Sequence, residues 1–362
     1  MADPLLSVRD LRVRFESDEG VVRAVDGVDF AVREGETVCL VGESGSGKTV
    51  ACESLTGLLP DAAAVDGEIR LDGTDLTDCS ASTLRSHRGG RIGHVFQNPQ
   101  DALDPVYTVG EQVVEAIRIH RDVSKATARE EAVGLLDRVG IGDAGARFDD
   151  YPHQFSGGMK QRVVVAMALA PDPDLLIADE PTTALDVTIQ RQVLDLLADL
   201  QDERGMALLF VTHDLGVVAE IADRVVVMYA GRAMESADVE ALFDDPAHPY
   251  TRALLACLPG RGDLFETIGG SMPDPTDPPE GCRFHPRCPH AVADCEHGDH
   301  PAVRSLAAAA ESGPGAGSDG GGTDNSDGDR TDESDHAVAC LLYDDDHALP
   351  PELAGRDTGG DR

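Results

Sequence analysis

Apolar and polar positions alternate from residue 5 to residue 33, in LLSVRDLRVRF and again in VVRAVDGVDFAV. A period of two predicts a pair of half-buried strands arranged as a β-hairpin. VCLV, Val38 to Val41, breaks the alternation, and a short unbroken apolar run predicts a buried strand. KTVACESLTGLL, residues 48–59, turns to a helical pattern, and DGEIRLDG returns to a strand bounded by turn residues. IGHVFQNP, Ile92 to Pro99, is an apolar strand that ends at Gln97. From about Val109 to Ile141 the period is helical, with many charges and no strand signal. FSGGMKQR, Phe155 to Arg162, opens a long apolar helix through VVVAMALA. DLLIADEP (Asp174 to Pro181) and ALLFVT are two further buried strands. Between them VTIQRQVLDLLADL spaces Ile189, Val193, Leu196, Leu197 and Leu200 along one helix face. Strands and helices in alternation predict an α/β fold.

The pattern fails after Leu258, where GGSMPDPTDPPEGCRFHPRCPHAVADCEHGDHPAV is rich in Pro, Gly and Cys. Residues 307–336, mostly Gly, Ser and Asp, are too polar to bury a core and predict a disordered insertion. A last segment, 346–362, reads as a flexible tail. The expected division is therefore one large α/β unit over 1–258, with a helical part at about 98–155, and a Cys-rich region over 259–345.

Charge narrows the function classes. The 362 residues carry 67 acidic and 30 basic side chains, a net −37, with lysine only at Lys48, Lys125 and Lys160. Such a surface repels a phosphate backbone and argues against nucleic acid as a partner. It suits high salt, where self-repulsion is screened, so a halophilic source is the expectation. MADPLLSVRD is too charged for a signal peptide, and no stretch approaches the roughly 20 apolar residues of a membrane helix. The expectation is a soluble chain whose membrane role, if it has one, runs through a partner.

The chemistry centres on GESGSGKT, Gly42 to Thr49, which fits G-x-x-x-x-G-K-[ST] between a predicted strand and a predicted helix. Gly42, Gly45 and Gly47 let phosphate oxygens approach backbone N–H groups at a helix N-terminus. Lys48 is expected on the β- and γ-phosphates, and Thr49 on magnesium. Glu43, Ser44, Ser46 and Val50 complete the cradle. This predicts binding of ATP or GTP. Asp179, at the end of a strand, suits magnesium, which takes hard oxygen ligands. Glu180 is placed to activate a water for in-line attack on the γ-phosphate. His213 ends a strand parallel to that of the loop and is expected near the same phosphate. Gly157 and Gly158, ahead of a helix, are a second place for an anion. Phe15 reads equally as a base-stacking ring or as core.

Together these residues resemble the ATP-binding subunits of ABC transporters over roughly residues 5 to 258. GESGSGKT matches the Walker A motif, Gln97 the Q-loop, FSGGM the signature and LLIADE the Walker B motif. TALD (Thr183 to Asp186) matches the D-loop, and His213 the switch histidine. YPHQFSGGMKQRVVVAMALA, ADEPTTALDVTIQ, HPYT (His248 to Thr251) and GCRFHPRCP (Gly281 to Pro289) are similar to the oligopeptide/dipeptide branch. Phe155 and Met159 depart from the general LSGGQ, where Leu and Gln are usual.

The resemblance implies a P-loop NTPase domain with a mixed core sheet, an antiparallel β subdomain and a helical subdomain, followed by the small irregular Cys-rich region. It implies ATP hydrolysis coupled to import of di- or oligopeptides at the cytoplasmic face of the membrane. Two transmembrane permease subunits, a sister ATPase or a second copy, and an external binding protein are the implied partners. Gln97 is implied beside the magnesium, Asp186 at the nucleotide, and Ser156, Gly157 and Gly158 at the partner subunit's γ-phosphate. A soluble ABC-type ATPase, acting in cluster assembly or on nucleic acid, is the alternative class.

Cys39, Cys52, Cys79 and Cys257 are scattered and read as small buried apolar residues. Cys282, Cys288, Cys295 and Cys340 form a set. Four thiols favour metal over disulfide, but the spacing lacks the C-x2-C pairs of zinc ribbons. The resemblance adds a 4Fe–4S cluster as the implied occupant, with zinc as the other reading. His285, His290 and His297 read as solvated.

Overall fold

The computed structural model describes residues 3–17, 20–97, 102–182, 185–258, 268–306, 336–344, 347, 349, 350 and 353. The alternating stretch forms β1 (Leu6–Ser17) and β2 (Gly20–Val32), paired antiparallel with Leu6 opposite Val32 and Val13 opposite Val25. Strands β4 (Ala63–Leu71) and β5 (Thr74–Asp75) complete a four-stranded antiparallel sheet in the order β2-β1-β4-β5.

The unbroken apolar runs form the second sheet. Its centre is β3 (Thr37–Val41), buried at every position. β6 (Ile92–Val95), β7 (Leu175–Asp179), β8 (Ala207–Thr212) and β9 (Arg224–Tyr229) all run parallel to it, in the order β9-β3-β8-β7-β6. Successive side chains on a strand point to opposite faces, and the two faces build two cores. Val38 and Leu40, with Ile177, Leu209 and Val226, face the antiparallel sheet and α1 (Lys48–Leu55). Cys39 and Val41, with Ala178, Phe210 and Val225, face the helices. Cover on both sides is why these strands read as continuous apolar runs.

Helix α1 stops at Leu55, short of the predicted Leu59, because Gly57 takes a left-handed φ of 60°. Helix α2 (Ala81–His87) follows β5. The helical subdomain holds α3 (Val109–His120), α4 (Lys125–Arg138) and α5 (Ala144–Arg147). Val109, Val113 and Ile117 on α3 and Ala128, Ala132 and Leu136 on α4 repeat every four residues, placing each set on one buried face. Thr108 and Glu111 close a capping box at the start of α3. Helix α6 (Gly157–Leu169) packs on β6, α3 and α4. Helices α7 (Val187–Arg204) and α8 (Leu215–Ile221) follow β7 and β8.

Antiparallel β10 (Arg232–Asp238) extends the central sheet beyond β9. Two short strands extend it further: β11 (Arg304–Ser305) and β12 (Ala337–Val338), with Glu235 opposite Val338. The Cys-rich segment is thus joined to the ATPase sheet through β12. The expected insertion lies outside the described residues except for His336, which bonds Glu235 at 2.6 Å. Of the expected flexible tail, Leu353 is buried with Ala247, Val338 and Leu342. Helices α9 (Val239–Asp244) and α10 (Pro249–Ala256) link β10 to the Cys-rich segment.

Among the described residues no helix is long and apolar enough to cross a membrane. Of the scattered cysteines, Cys39 and Cys52 are buried, Cys79 is half-buried and Cys257 is exposed at the end of α10. The expectation of burial therefore fails at Cys257, where the end of the helix leaves the thiol at the surface.

Candidate functional site

The turn from β3 into α1 can be built only with glycine at two points. At Gly42, φ is 150° and a Cβ would lie 2.1 Å from the carbonyl oxygen of Met228. At Gly47, the left-handed N-cap of α1, a Cβ would lie 2.4 Å from the carbonyl of Ala24. The loop is therefore pressed between β9 and β2, and its shape is fixed by backbone on either side. Lys48 Nζ donates to the carbonyls of Gly42 (2.8 Å) and Glu43 (2.9 Å) and to Ser46 Oγ (3.2 Å). Burial lowers the pKa of Lys48, and the charges of Glu180 and Asp179 oppose that shift. Ser44 and Gly45 face solvent, Thr49 and Val50 are half-buried, and Val50 rests on the core.

Pairing of β7 with β8 places Asp179 opposite Val211, with its side chain 3 % exposed. One of its oxygens, Oδ1, makes no hydrogen bond. Burial pushes the Asp179 carboxyl above its ordinary range; the Thr49 hydroxyl bonds it and pulls the other way, while Glu180 adds to the rise. A buried carboxylate with an unpartnered oxygen, joined to a loop hydroxyl, is the donor chemistry magnesium requires. Thr49 and Asp179 therefore fit the metal expected for them.

Glu180 takes a left-handed φ of 48°, an expensive conformation for a side chain of its length, while its N–H bonds the Val211 carbonyl at 2.9 Å. The turn swings its carboxylate between two partners. Gln97 Nε2 donates to Oε2 at 3.2 Å, and His213 Nδ1 lies 3.1 Å from Oε1. Gln97, Glu180 and His213, expected separately from the ends of three strands, thus converge on one carboxylate.

The signature residues occupy a different element. Ser156 caps α6 by accepting from the Met159 N–H at 3.3 Å, and Ser156 and Gly157 are exposed while Gly158 is half-buried. Asp186 caps α7, accepting from Thr188 and Ile189 N–H at 3.1 Å each; Thr183 and Ala184 of the same loop lie outside the described residues. Phe15 is half-buried at the edge of the core under the antiparallel sheet.

Cys282, Cys288 and Cys295 pack at the helix-side core, and Cys340 in the small cluster around Val338. Burial pushes the Cys282 and Cys340 thiols up to about 12, and the neighbouring cysteines of the set add to the rise. Among the described residues, no group of three or more His, Cys, Asp or Glu side chains is arranged to hold a metal ion. The thiols are neighbours but, among the described residues, do not assemble the expected metal centre. His285 Nδ1 is engaged with the Cys282 carbonyl at 2.9 Å, so it is less solvated than expected.

Three residues missed in the sequence hold the phosphate loop from outside. Arg287 pairs with the Glu43 carboxylate, the Tyr250 hydroxyl accepts from the Glu43 N–H, and Arg283 pairs with Asp26 beside the loop. The only available signal was two arginines and a tyrosine inside GCRFHPRCP and HPYT, in a chain poor in cations.

Comparison with known proteins gives the family and the fold. The ABC transporter family profile matches residues 25–183, and the profile of the oligopeptide/dipeptide transporter C-terminal region matches 234–295. A probable peptide ABC transporter ATP-binding protein of Sinorhizobium fredii is 51 % identical over 300 residues, spanning 81 % of this chain and 90 % of that protein. A putative peptide import ATP-binding protein of Brucella melitensis is 51 % identical over 320 residues, spanning 84 % and 94 %. Among solved structures, the ATP-binding cassette MJ0796, as a dimer bound to ADP and Pi, superposes with a TM-score of 0.60 at 28 % identity, over 65 % of this chain and 98 % of its own. CbiO1 of Clostridium perfringens gives a TM-score of 0.57 at 29 % identity, over 67 % and 91 %.

Proposed function

The chain belongs to the peptide-transporter branch of the ABC transporter ATP-binding proteins, and from that premise we propose that it energises import of di- or oligopeptides by hydrolysing ATP. One observation carries the hydrolytic part: Glu180, the expected base, is gripped by Gln97 and His213 beside the phosphate loop.

The residues divide the work. The N–H groups of Gly45 to Thr49 and the Lys48 ammonium bind the phosphates. Thr49 and Asp179 would hold magnesium, with Gln97 also expected beside it, and the ion would supply positive charge to the phosphates. Glu180 takes the proton of the attacking water, and His213 orients that carboxylate and meets the γ-phosphate. Gln97 senses the same carboxylate from the start of the helical subdomain, which links hydrolysis to movement there.

Ser156, Gly157 and Gly158 present an exposed helix N-terminus, which suits the γ-phosphate of a second ATPase subunit, either a sister chain or another copy. Val106 and Tyr107, 70 % and 54 % exposed at the foot of the helical subdomain, offer an apolar patch to transmembrane permease subunits. An external binding protein would deliver the peptide, and the chain itself would sit at the cytoplasmic face. Peptide cargo rests on the names of the relatives, since the ATPase fold makes no contact with the solute. No observation favours the soluble ABC-type alternative.

The cofactors of this reading are ATP and magnesium. Nothing in the described residues supports the 4Fe–4S cluster or zinc at Cys282, Cys288, Cys295 and Cys340; iron at about four per purified chain, or zinc at about one, would restore them. The deciding experiment for function is a mild-detergent pull-down of the tagged chain from native membranes in high salt. Two multi-span proteins, a second ATPase and a lipid-anchored binding protein are the expected companions. Recovery of ribosomes or nucleic-acid enzymes in their place would overturn the transporter reading.

A further inference from the structure

The phosphate loop contains a carboxylate, Glu43, where a polyanion is expected to bind, and its charge opposes that binding unless something neutralises it. Arg287 does so from the Cys-rich segment, 244 residues away: Nη1 lies 3.0 Å from Oε1 and Nη2 3.2 Å from Oε2, a two-pronged pair. Its remaining N–H groups are also used. Nε donates to the Gly269 carbonyl at 2.7 Å, Nη1 to Tyr229 Oη at 3.2 Å and Nη2 to the Ile268 carbonyl at 3.1 Å. A guanidinium has five N–H donors, so this one has none left and no freedom to swing. Its side chain is 5 % exposed, against 31 % for Glu43.

The backbone of Glu43 is fixed as well. Its N–H donates to Tyr250 Oη at 2.9 Å, and its carbonyl accepts from Lys48 Nζ at 2.9 Å. Tyr250 is fully buried, edge-on to Tyr229 at 4.7 Å and tilted against Phe284 at 5.2 Å. The Cys-rich segment and the start of α10 therefore meet the loop at one residue, and that residue holds the lysine of the loop.

We propose that the Cys-rich segment sets the affinity of the phosphate loop for ATP, with Arg287 as the positioning residue that neutralises and fixes Glu43. This rests on the reading of Gly42 to Thr49 as the ATP site. Arg287 touches neither Glu180 nor His213, so its loss acts on binding and leaves the chemical step alone.

The test is the dissociation constant of the Mg–ATP complex, measured on the full chain in high salt with a fluorescent ATP analogue. Arg287→Ala is expected to weaken binding about tenfold, the scale of a coupled charge pair. Adding Glu43→Gln in that background removes the uncompensated charge and should recover several-fold of the loss, which a merely structural defect would not do. Arg287→Lys, keeping the charge and losing the fork, should fall between. An Arg287→Ala constant within twofold of wild type, or a loss untouched by Glu43→Gln, overturns the proposal. If Arg287→Ala does not fold, hydrogen exchange on the wild-type chain decides: ATP should slow exchange across residues 282–288, and unchanged rates overturn it. A wild-type chain that fails to bind ATP overturns the ATP-site reading itself.

Discussion

At the residue scale, Glu180 and Asp179 are adjacent carboxylates proposed for different duties, and their surroundings separate them. Glu180 is held by two hydrogen-bonding side chains at a strained turn, whereas Asp179 is buried beside a hydroxyl with one oxygen unpartnered. Glu180→Gln keeps the shape and removes the base, so ATP binding should persist while turnover falls about a hundredfold or more. A purified variant hydrolysing at near wild-type rate would remove Glu180 from that role. Asp179→Asn should act in the opposite sense on stability. The folded pKa of Asp179 is raised, so its charge costs stability at every pH above that value and the cost is relieved as pH falls. Removing the charge should stabilise the metal-free chain by about 1 kcal/mol, read as a shift in urea midpoint, while the stabilisation by Mg–ATP disappears. Both residues were legible as DE after an apolar run, because the strand end and the loop motif are local patterns. Arg287 was not, because its partner lies far off in sequence and no spacing rule joins them.

At the scale of elements, the period of the apolar residues was enough to find the strands and main helices, since burial on one face or both writes itself into the chain every two or 3.6 residues. The ends were less legible. Gly57 and the left-handed Glu180 end their elements by backbone geometry that the pattern does not show. The C-terminal strands β11 and β12 are two residues each, too short for any period; β12 exists because β10 offers an edge, and β11 because β12 then offers one.

Helix α10 carries a prediction of this scale. His248 caps it by accepting the Tyr250 N–H on Nδ1 at 3.0 Å, which requires a neutral ring. Burial holds the imidazole at about 4, with Glu235 opposing. The unfolded chain therefore takes up this proton first: the contribution is complete above about pH 6.5 and is lost as pH falls toward 4. His94, also buried at about 4, titrates in the same window. In His248→Asn, where the amide oxygen keeps the cap without titrating, the wild-type decline should lessen by about 1.4 kcal/mol per pH unit, one proton's worth. Parallel stability–pH curves for the two proteins would show that the cap does not titrate.

At the scale of the whole molecule, the net charge of −37 outweighs any individual ion pair. None of the relatives named above speaks to a high-salt source. Added salt acts in two directions. It weakens exposed pairs such as Arg129–Asp149 at 3.4 Å and Arg191–Asp195 at 3.0 Å, each worth at most about 1 kcal/mol and often nothing. It also screens repulsion among the excess carboxylates, a term that grows with the square of the net charge and favours the compact state as it is removed. With more than twice as many acidic as basic side chains (67 against 30), the second effect should win. Raising KCl from about 0.1 M to 2 M, where the screening length falls from roughly 10 Å to below 3 Å, should raise the unfolding temperature by on the order of 10 °C. Most of that rise should come below about 1 M, where screening is still incomplete. The ion must be one that neither salts out nor denatures strongly, so that screening is what is read; replacing KCl with sucrose at matched water activity should then give a smaller shift. A transition that stays put or moves down with KCl would mean that the carboxylates are spaced widely enough to tolerate one another, and that the ion pairs set the sign.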